Sequence, residues 1–179
     1  MIEKDLRFLK IAKIVAENST CARVNVGAVI TKNKRIISTG WNGSSSKSLH
    51  CCDHFKNVFS ESVWRDGTNP LFRYPTEEHF DIELAYKKWK GTQEFYDAHG
   101  HFSSLNELHA EQNAILFADR EQLKDSTLYI TLSSCLACSK VIIISGIKRV
   151  VYSEVYDRET QGLELMKSNG ISVEHIEVK

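Results

Sequence analysis

The chain of 179 residues is poor in the residues that loosen a backbone, with only 2 Pro and 9 Gly. So little of either excludes a collagen-like or linker-rich design and argues against disorder. Excess charge is missing too: 23 Lys and Arg face 23 Asp and Glu, for a net charge of +0. Without a global positive field, broad capture of a nucleic-acid backbone is disfavoured, and a small substrate is the better expectation. No run of about 18 apolar residues is there to span a bilayer, so no membrane partner is expected. The opening MIEKDLRFLKIAKIVAENST carries acidic residues where an export signal would have none, and it reads as a helix. Five cysteines, Cys21, Cys51, Cys52, Cys135 and Cys138, are an odd set in a chain long enough to bury a core unaided. They point to a reducing cytoplasmic setting and to thiolates used for metal rather than for disulfides.

With 42% hydrophobic and 26% charged residues, a single globular domain over 1–179 is expected. The spacing of Leu6, Leu9, Ile11, Ile14 and Val15 predicts an amphipathic helix over 3–17. The period then changes. Val24, Val26, Ala28 and Ile30 alternate, Thr31 to Lys34 reads as a turn, and Arg35 to Gly40 returns as the second strand of a hairpin. An aromatic-rich insertion at about 53–106 holds Trp64, Trp89 and both prolines, Pro70 and Pro75. Its aromatics interleave with Glu77, Glu78, Asp81 and Glu83, which would repel phosphates, so they read as packing residues rather than a base-stacking platform. Beyond it, helices are expected over 109–119, 138–145 and 162–168, and strands over 127–132, 149–153 and 171–178. Such alternation implies parallel neighbours joined by right-handed helical crossovers.

Two short motifs carry the chemistry. His109-Ala110-Glu111 opens one helix, and Cys135-Leu136-Ala137-Cys138 sits where a strand meets the next helix. Cysteines three apart at a helix start share a face, and the positive end of the helix dipole favours their thiolate forms. With one imidazole added, three protein ligands suit Zn2+ and leave a fourth tetrahedral position for water, as in catalytic sites. Two thiolates neutralise much of the ion's charge, so a nearby base must help to take the proton, and Glu111 is placed for it. Each motif alone has an ordinary alternative: a solvated first-turn glutamate, or a redox or structural thiol pair. The ordered combination is the pattern of the zinc nucleobase deaminases.

Those residues, with VGAVI at 26–30, RIISTGWNGS at 35–44, HAEQNAILFA at 109–118, TLSSCLAC at 131–138, SGIKRVVY at 145–152 and VYD at 155–157, resemble the zinc-dependent cytidine deaminase superfamily. Within it they are similar to the deoxycytidylate deaminase family, in its phage and bacterial branch. The resemblance implies an α/β fold, three-layer α/β/α with a five-stranded mixed sheet. It implies hydrolytic conversion of dCMP to dUMP and ammonia, supplying dUMP for thymidylate synthesis. It further implies zinc on His109, Cys135 and Cys138, proton transfer by Glu111, and nucleotide contacts from Asn42, Tyr156 and Arg23. Arg23 reads equally well as a solvent-facing charge. By the same resemblance Cys21, Cys51, His99 and Glu107 would hold a second, structural zinc, with four unmetallated residues as the alternative. A homohexamer is implied, activated by dCTP and inhibited by dTTP at a site using Gly43, Ser44, Phe117 and Arg120, with Mg2+ accompanying a triphosphate effector. The setting would be cytoplasmic, that of the host cell if the chain is viral. Two departures stand out. Ser134 occupies the place of the family's proline before the first cysteine, and Ser45 to Ser48 replace its proline and glycines after NGS. Competing readings are a zinc deaminase acting on another cytosine or adenine compound, and a purely structural zinc module in which Glu111 is incidental.

Overall fold

A computed structural model describes residues 2–45, 47–65, 82–156 and 160–178. In chain order the elements are α1 (Ile2–Ala16), β1 (Gly27–Lys32), β2 (Arg35–Trp41), β3 (Gly43–Ser44), α2 (Cys51–Arg65), α3 (Ile82–Trp89), α4 (Gln93–Asn106), β4 (Glu107–Leu108), α5 (Ala110–Leu116), α6 (Arg120–Leu123), β5 (Thr127–Leu132), α7 (Leu136–Ser145), β6 (Arg149–Glu154), α8 (Gln161–Ser168) and β7 (Ser172–His175). They form two compact units. The first comprises residues 1–19, 25–43 and 108–179, and the second 20–24 and 44–107.

The first unit is built on a five-stranded sheet in the order β2-β1-β5-β6-β7. β1 runs antiparallel to both β2 and β5, whereas β5, β6 and β7 are parallel, so the sheet is mixed as expected. Strand alternation divides the core between its faces. Ala28, Ile30, Leu128, Ile130 and Val150 pack with Ala110, Ala114, Ile142, Leu163 and Met166, which puts α5, α7 and α8 on one face. Val29, Tyr129 and Val151 pack with Leu9 and Ala12 of α1 on the other. This is the three-layer α/β/α arrangement. α1 suits its place electrostatically, with Glu3 and Asp5 in the first turn and Lys13 in the last.

The hairpin differs in detail from the expected one. Its turn is only Asn33-Lys34, both with positive φ (51° and 68°), the geometry of a two-residue turn matched to strand twist. Thr31 and Lys32 therefore stay in the ladder, opposite Ile36 and Arg35. The strand starts at Gly27 rather than Val24, because pairing with β2 begins at Gly27 opposite Trp41. The helix expected over 109–119 ends at Leu116. Asp119 then caps α6, its Oδ1 accepting the Glu121 N–H at 2.9 Å. α7 starts two residues early because Cys135 is its N-cap, and β7 is shorter than expected because its pairing with β6 ends at His175.

The second unit takes in the aromatic-rich insertion together with 20–24. α2, α3 and α4 enclose a core of Ala22, Cys51, Phe55, Phe59, Trp89 and Phe95. Phe55 and Phe95 meet edge to face with centroids 5.2 Å apart, so these aromatics are packing residues. Thr92 caps α4, its Oγ1 accepting the Phe95 N–H. Pro70, Pro75, Glu77, Glu78, Asp81 and the Trp64 side chain lie outside the described residues, as does Asp157. No helix among the described residues is long and apolar enough to cross a membrane.

Candidate metal centres and active site

Two helix starts meet in the first unit. His109 is the N-cap of α5, where its backbone N–H donates to Gln112 Oε1 at 3.0 Å, a capping arrangement that fixes the ring's place. Cys135 is the N-cap of α7, and Cys138 lies one turn in and fully buried. His109 Nδ1 lies 3.5 Å from Cys135 Sγ and 3.3 Å from Cys138 Sγ. Tetrahedral zinc on one imidazole and two thiolates sets N–S separations at about 3.6 Å, so the three donors already stand close to metal-binding distances. The Cys138 thiol donates to the Cys135 sulfur, which lowers Cys135 to about 4, with the His109 ring adding to the effect. The same bond and burial raise Cys138.

Glu111, one residue into α5, is only 4% exposed. Burial pushes its carboxyl above the usual carboxylate range, while its own backbone N–H, His109 and the Ser134 hydroxyl pull the other way. It also lies against the Cys138 thiol. A buried carboxylate beside a three-ligand cluster is the environment of a group that takes and returns protons.

A second cluster lies wholly within the second unit. Cys21, Cys51, His99 and Glu107 bring their ligand atoms within 4.8 Å of one another. His99 Nε2 is 3.2 Å from Cys21 Sγ and 3.9 Å from Glu107 Oε2. The Ala22 N–H donates to Cys51 Sγ, and the Arg23 and Val24 amides donate to Cys21. The Cys51 thiol holds Cys21 down to about 3 and is itself raised by that bond, and burial raises Glu107. His99 Nδ1 and Glu107 Oε1 are buried with no hydrogen-bond partner among the described residues. Two thiols, an imidazole and a buried carboxyl with an orphaned oxygen suit a closed, four-ligand zinc site.

The other expected site residues are placed individually. Asn42 is buried, its Oδ1 accepting from the Val26 N–H at 2.8 Å and from Ser19 Oγ at 2.7 Å, which sets the side-chain amide. The Tyr156 N–H donates to Ser133 Oγ at 2.7 Å, tying the chain after β6 to the loop before Cys135. Arg23 lies over the Tyr96 ring, 5.1 Å from its centroid, rather than free in solvent. Gly43 is buried and Ser44 Oγ is buried with no hydrogen-bond partner among the described residues, whereas Phe117 is 81% exposed and Arg120 is exposed.

Three positioning features escape sequence reasoning. At Gly40 a Cβ would fall 2.3 Å from Ala114 N and 2.4 Å from Ala110 O, so only glycine lets α5 press on β2. At Gly162 a Cβ would fall 2.7 Å from Ser134 O and 2.5 Å from Ser139 Oγ, behind the cysteine loop. Asn113 Nδ2 donates to Trp41 O at 2.6 Å, a second tie between α5 and the end of β2. The only sequence signal for the first two is a glycine inside an element where one is otherwise unfavourable.

A three-layer mixed sheet with an imidazole, two thiolates and a buried carboxyl at two facing helix starts is the build of the zinc-dependent nucleobase deaminases. The family described as the cytidine and deoxycytidylate deaminase zinc-binding region matches residues 2–154. Deoxycytidylate deaminase of Enterobacteria phage T4 is 37% identical over 180 residues, covering 96% of this chain and 89% of that protein. The enzyme of the same name from Mycobacterium phage D29 is 33% identical, covering 83% and 92%. Among solved structures, dCMP deaminase from the cyanophage S-TIM5 in complex with dCMP and dUMP superposes with a TM-score of 0.65 at 26% identity, covering 98% of each chain. The chain belongs to the cytidine and deoxycytidylate deaminase family.

Proposed function

We infer that the chain hydrolyses dCMP to dUMP and ammonia, with His109, Cys135 and Cys138 holding a catalytic zinc and Glu111 moving the protons. The observation that carries this is the buried Glu111 carboxyl set beside the three converging donors. The names of the T4 and D29 relatives and the dCMP and dUMP bound by the cyanophage enzyme support the choice of nucleotide. Zinc, when bound, supplies Lewis-acid activation of water. Glu111 takes a proton from the attacking water and passes it to cytosine N3, then takes the second proton from the new C4 hydroxyl and delivers it to the departing C4 amine, so that water adds and ammonia leaves. Its burial keeps bulk water from competing for those protons. Asn42, with its amide oriented by Val26 and Ser19, is assigned to the deoxyribose, Tyr156 to the nucleotide and Arg23 to its phosphate.

Cys21, Cys51, His99 and Glu107 are assigned a second zinc with a structural role, since all four ends are buried or half-buried and belong to one unit. Regulation by dCTP and dTTP through Gly43, Ser44, Phe117 and Arg120, with Mg2+ on the triphosphate, extends the same assignment, as does a homohexamer. Exposed Phe117 and Arg120 offer an apolar ring and a guanidinium to a neighbouring copy or an anion, which supports that extension. The test is to incubate the zinc-loaded protein with dCMP, dCTP, deoxycytidine and CMP and to follow the loss of cytosine absorbance. Turnover of dCMP above the other three is expected. Preference for another of them would overturn the substrate assignment.

A further inference from the structure

The β1–β2 hairpin and α6 enclose a cleft that the deaminase chemistry does not use. The ladder pairs Ile30 with Ser38 but Thr31 with Ile36, which leaves Ile37 as the extra residue of a β-bulge on β2. Ile37 packs on the core under α5, the same face from which Ser38 Oγ donates to Ala114 O. The bulge resets the alternation of β2, so Arg35 opens onto the same cleft as Ile37. Lys32 stands directly opposite Arg35 in the ladder and reaches the same side, its Nζ donating to Glu121 O of α6 at 2.9 Å. Lys32, Asn33, Arg35 and Ile37, with Gln122 of α6, line a volume of about 560 Å3.

The chemistry of this cleft is one-sided. Two cations, two side-chain amides and an apolar side chain line it, with no acidic residue among them. Lys32 is held by a neutral carbonyl, and among the described residues neither Lys32 nor Arg35 pairs with a carboxylate. Like charges directly opposite one another across two strands repel, and an anion placed between them removes that cost. We propose that the cleft binds a small sugar phosphate. The planar Arg35 guanidinium and the Lys32 ammonium take the phosphate, Ile37 meets the apolar face of the sugar, and the Asn33 and Gln122 amides take its hydroxyls. The volume lies within the range of small-molecule sites and exceeds what a bare phosphate ion fills. The cleft lies within the first unit and uses none of His109, Glu111, Cys135 or Cys138, so the proposal is independent of the deaminase assignment.

The test is an NMR titration of the zinc-loaded full chain with ribose 5-phosphate, inorganic phosphate and ribose at constant ionic strength, following the Asn33 and Gln122 side-chain amides and the Ile37 methyl groups. Ribose 5-phosphate is expected to shift these signals saturably with an apparent Kd below about 1 mM. Inorganic phosphate, which shares the charge but not the body, should bind at least about threefold more weakly, and ribose should leave the signals unmoved. Arg35 and Lys34 are both exposed, so substitution at either keeps the fold. Arg35→Gln should weaken ribose 5-phosphate about tenfold or more, the worth of a charge-assisted hydrogen bond. Lys34→Gln, in the turn but outside the lining, should change it by less than about twofold. Shifts that do not saturate, or equal weakening by the two substitutions, would reduce the effect to diffuse charge screening and overturn the site. Equal affinity for inorganic phosphate would overturn the sugar phosphate as its ligand.

Discussion

Replacing Gly40 by alanine should damage the active site out of proportion to its effect on stability. The added methyl would meet Ala114 N at 2.3 Å and Ala110 O at 2.4 Å, both backbone atoms of α5, so no side chain can swing aside. Restoring ordinary contact requires α5 to recede from β2 by about 1 Å. That movement stretches the Ser38 Oγ to Ala114 O bond, now 2.6 Å, and the Asn113 to Trp41 bond, also 2.6 Å. Overpacking of this kind costs about 1–3 kcal/mol, or a fall in Tm of about 2–12 °C for a chain of this size. α5 also carries His109 at its N-cap and Glu111 in its first turn. Misplacing a catalytic group by about 1 Å lowers turnover by about 10²-fold. Gly27→Ala is the matched control. Its methyl would meet Ala12 O at 2.0 Å and Ala16 N at 2.6 Å, pushing on α1 across the opposite face of the sheet. It should cost at least as much stability while leaving kcat/KM at 25 °C within about threefold. Thermal melts and steady-state dCMP kinetics on the two variants separate the cases. Activity losses that track the stability losses equally in both would refute the claim that Gly40 works by seating α5.

Two further outcomes follow from the polar clusters. Arg149 grips both carboxylate oxygens of buried Asp5 at 2.8 and 3.0 Å and also Glu174 at 2.7 Å, which holds both carboxyls below their usual range. Folding stability from this network is fully present above the unfolded Asp value of about 3.9 and is lost as pH falls through the lower folded value, so Asp5→Asn should flatten the acid-unfolding curve below about pH 4. A curve as steep as the parent's would count against it. Metal analysis should find two zinc ions per chain. Cys51→Ala should lose one and lower Tm, whereas Cys135→Ala should lose the other and leave a folded, inactive protein. One zinc in the parent, unchanged in Cys51→Ala, would remove the second site.

Legibility in the sequence followed the range of the interaction. His109, Glu111, Cys135 and Cys138 sit on two helix starts whose local spacing already puts like chemistry on one face, so their convergence was readable. The hairpin and the parallel pairing of the later strands are readable too, because period changes and helical crossovers constrain them, whereas the order β2-β1-β5-β6-β7 comes only from the structure. Cys21, Cys51, His99 and Glu107 have no diagnostic spacing, and only resemblance to relatives grouped them before folding brought them together. The sequence pattern makes the Asn33-Lys34 turn two residues longer than it is, because neither residue is the glycine that usually marks positive φ. Gly40 and Gly162 act through backbone approach across distant segments, which no local pattern records. Ser134 is visible as a departure from the motif, but its full burial is not.

The most direct measurement is Glu111→Gln, with zinc content and dCMP turnover determined on the same preparation. The amide keeps the shape of the side chain and leaves His109, Cys135 and Cys138 untouched, but it cannot accept a proton. Zinc should remain at the parent level while kcat falls by at least ~10²-fold. Near-parent turnover at full zinc occupancy would contradict the assignment of proton transfer to Glu111.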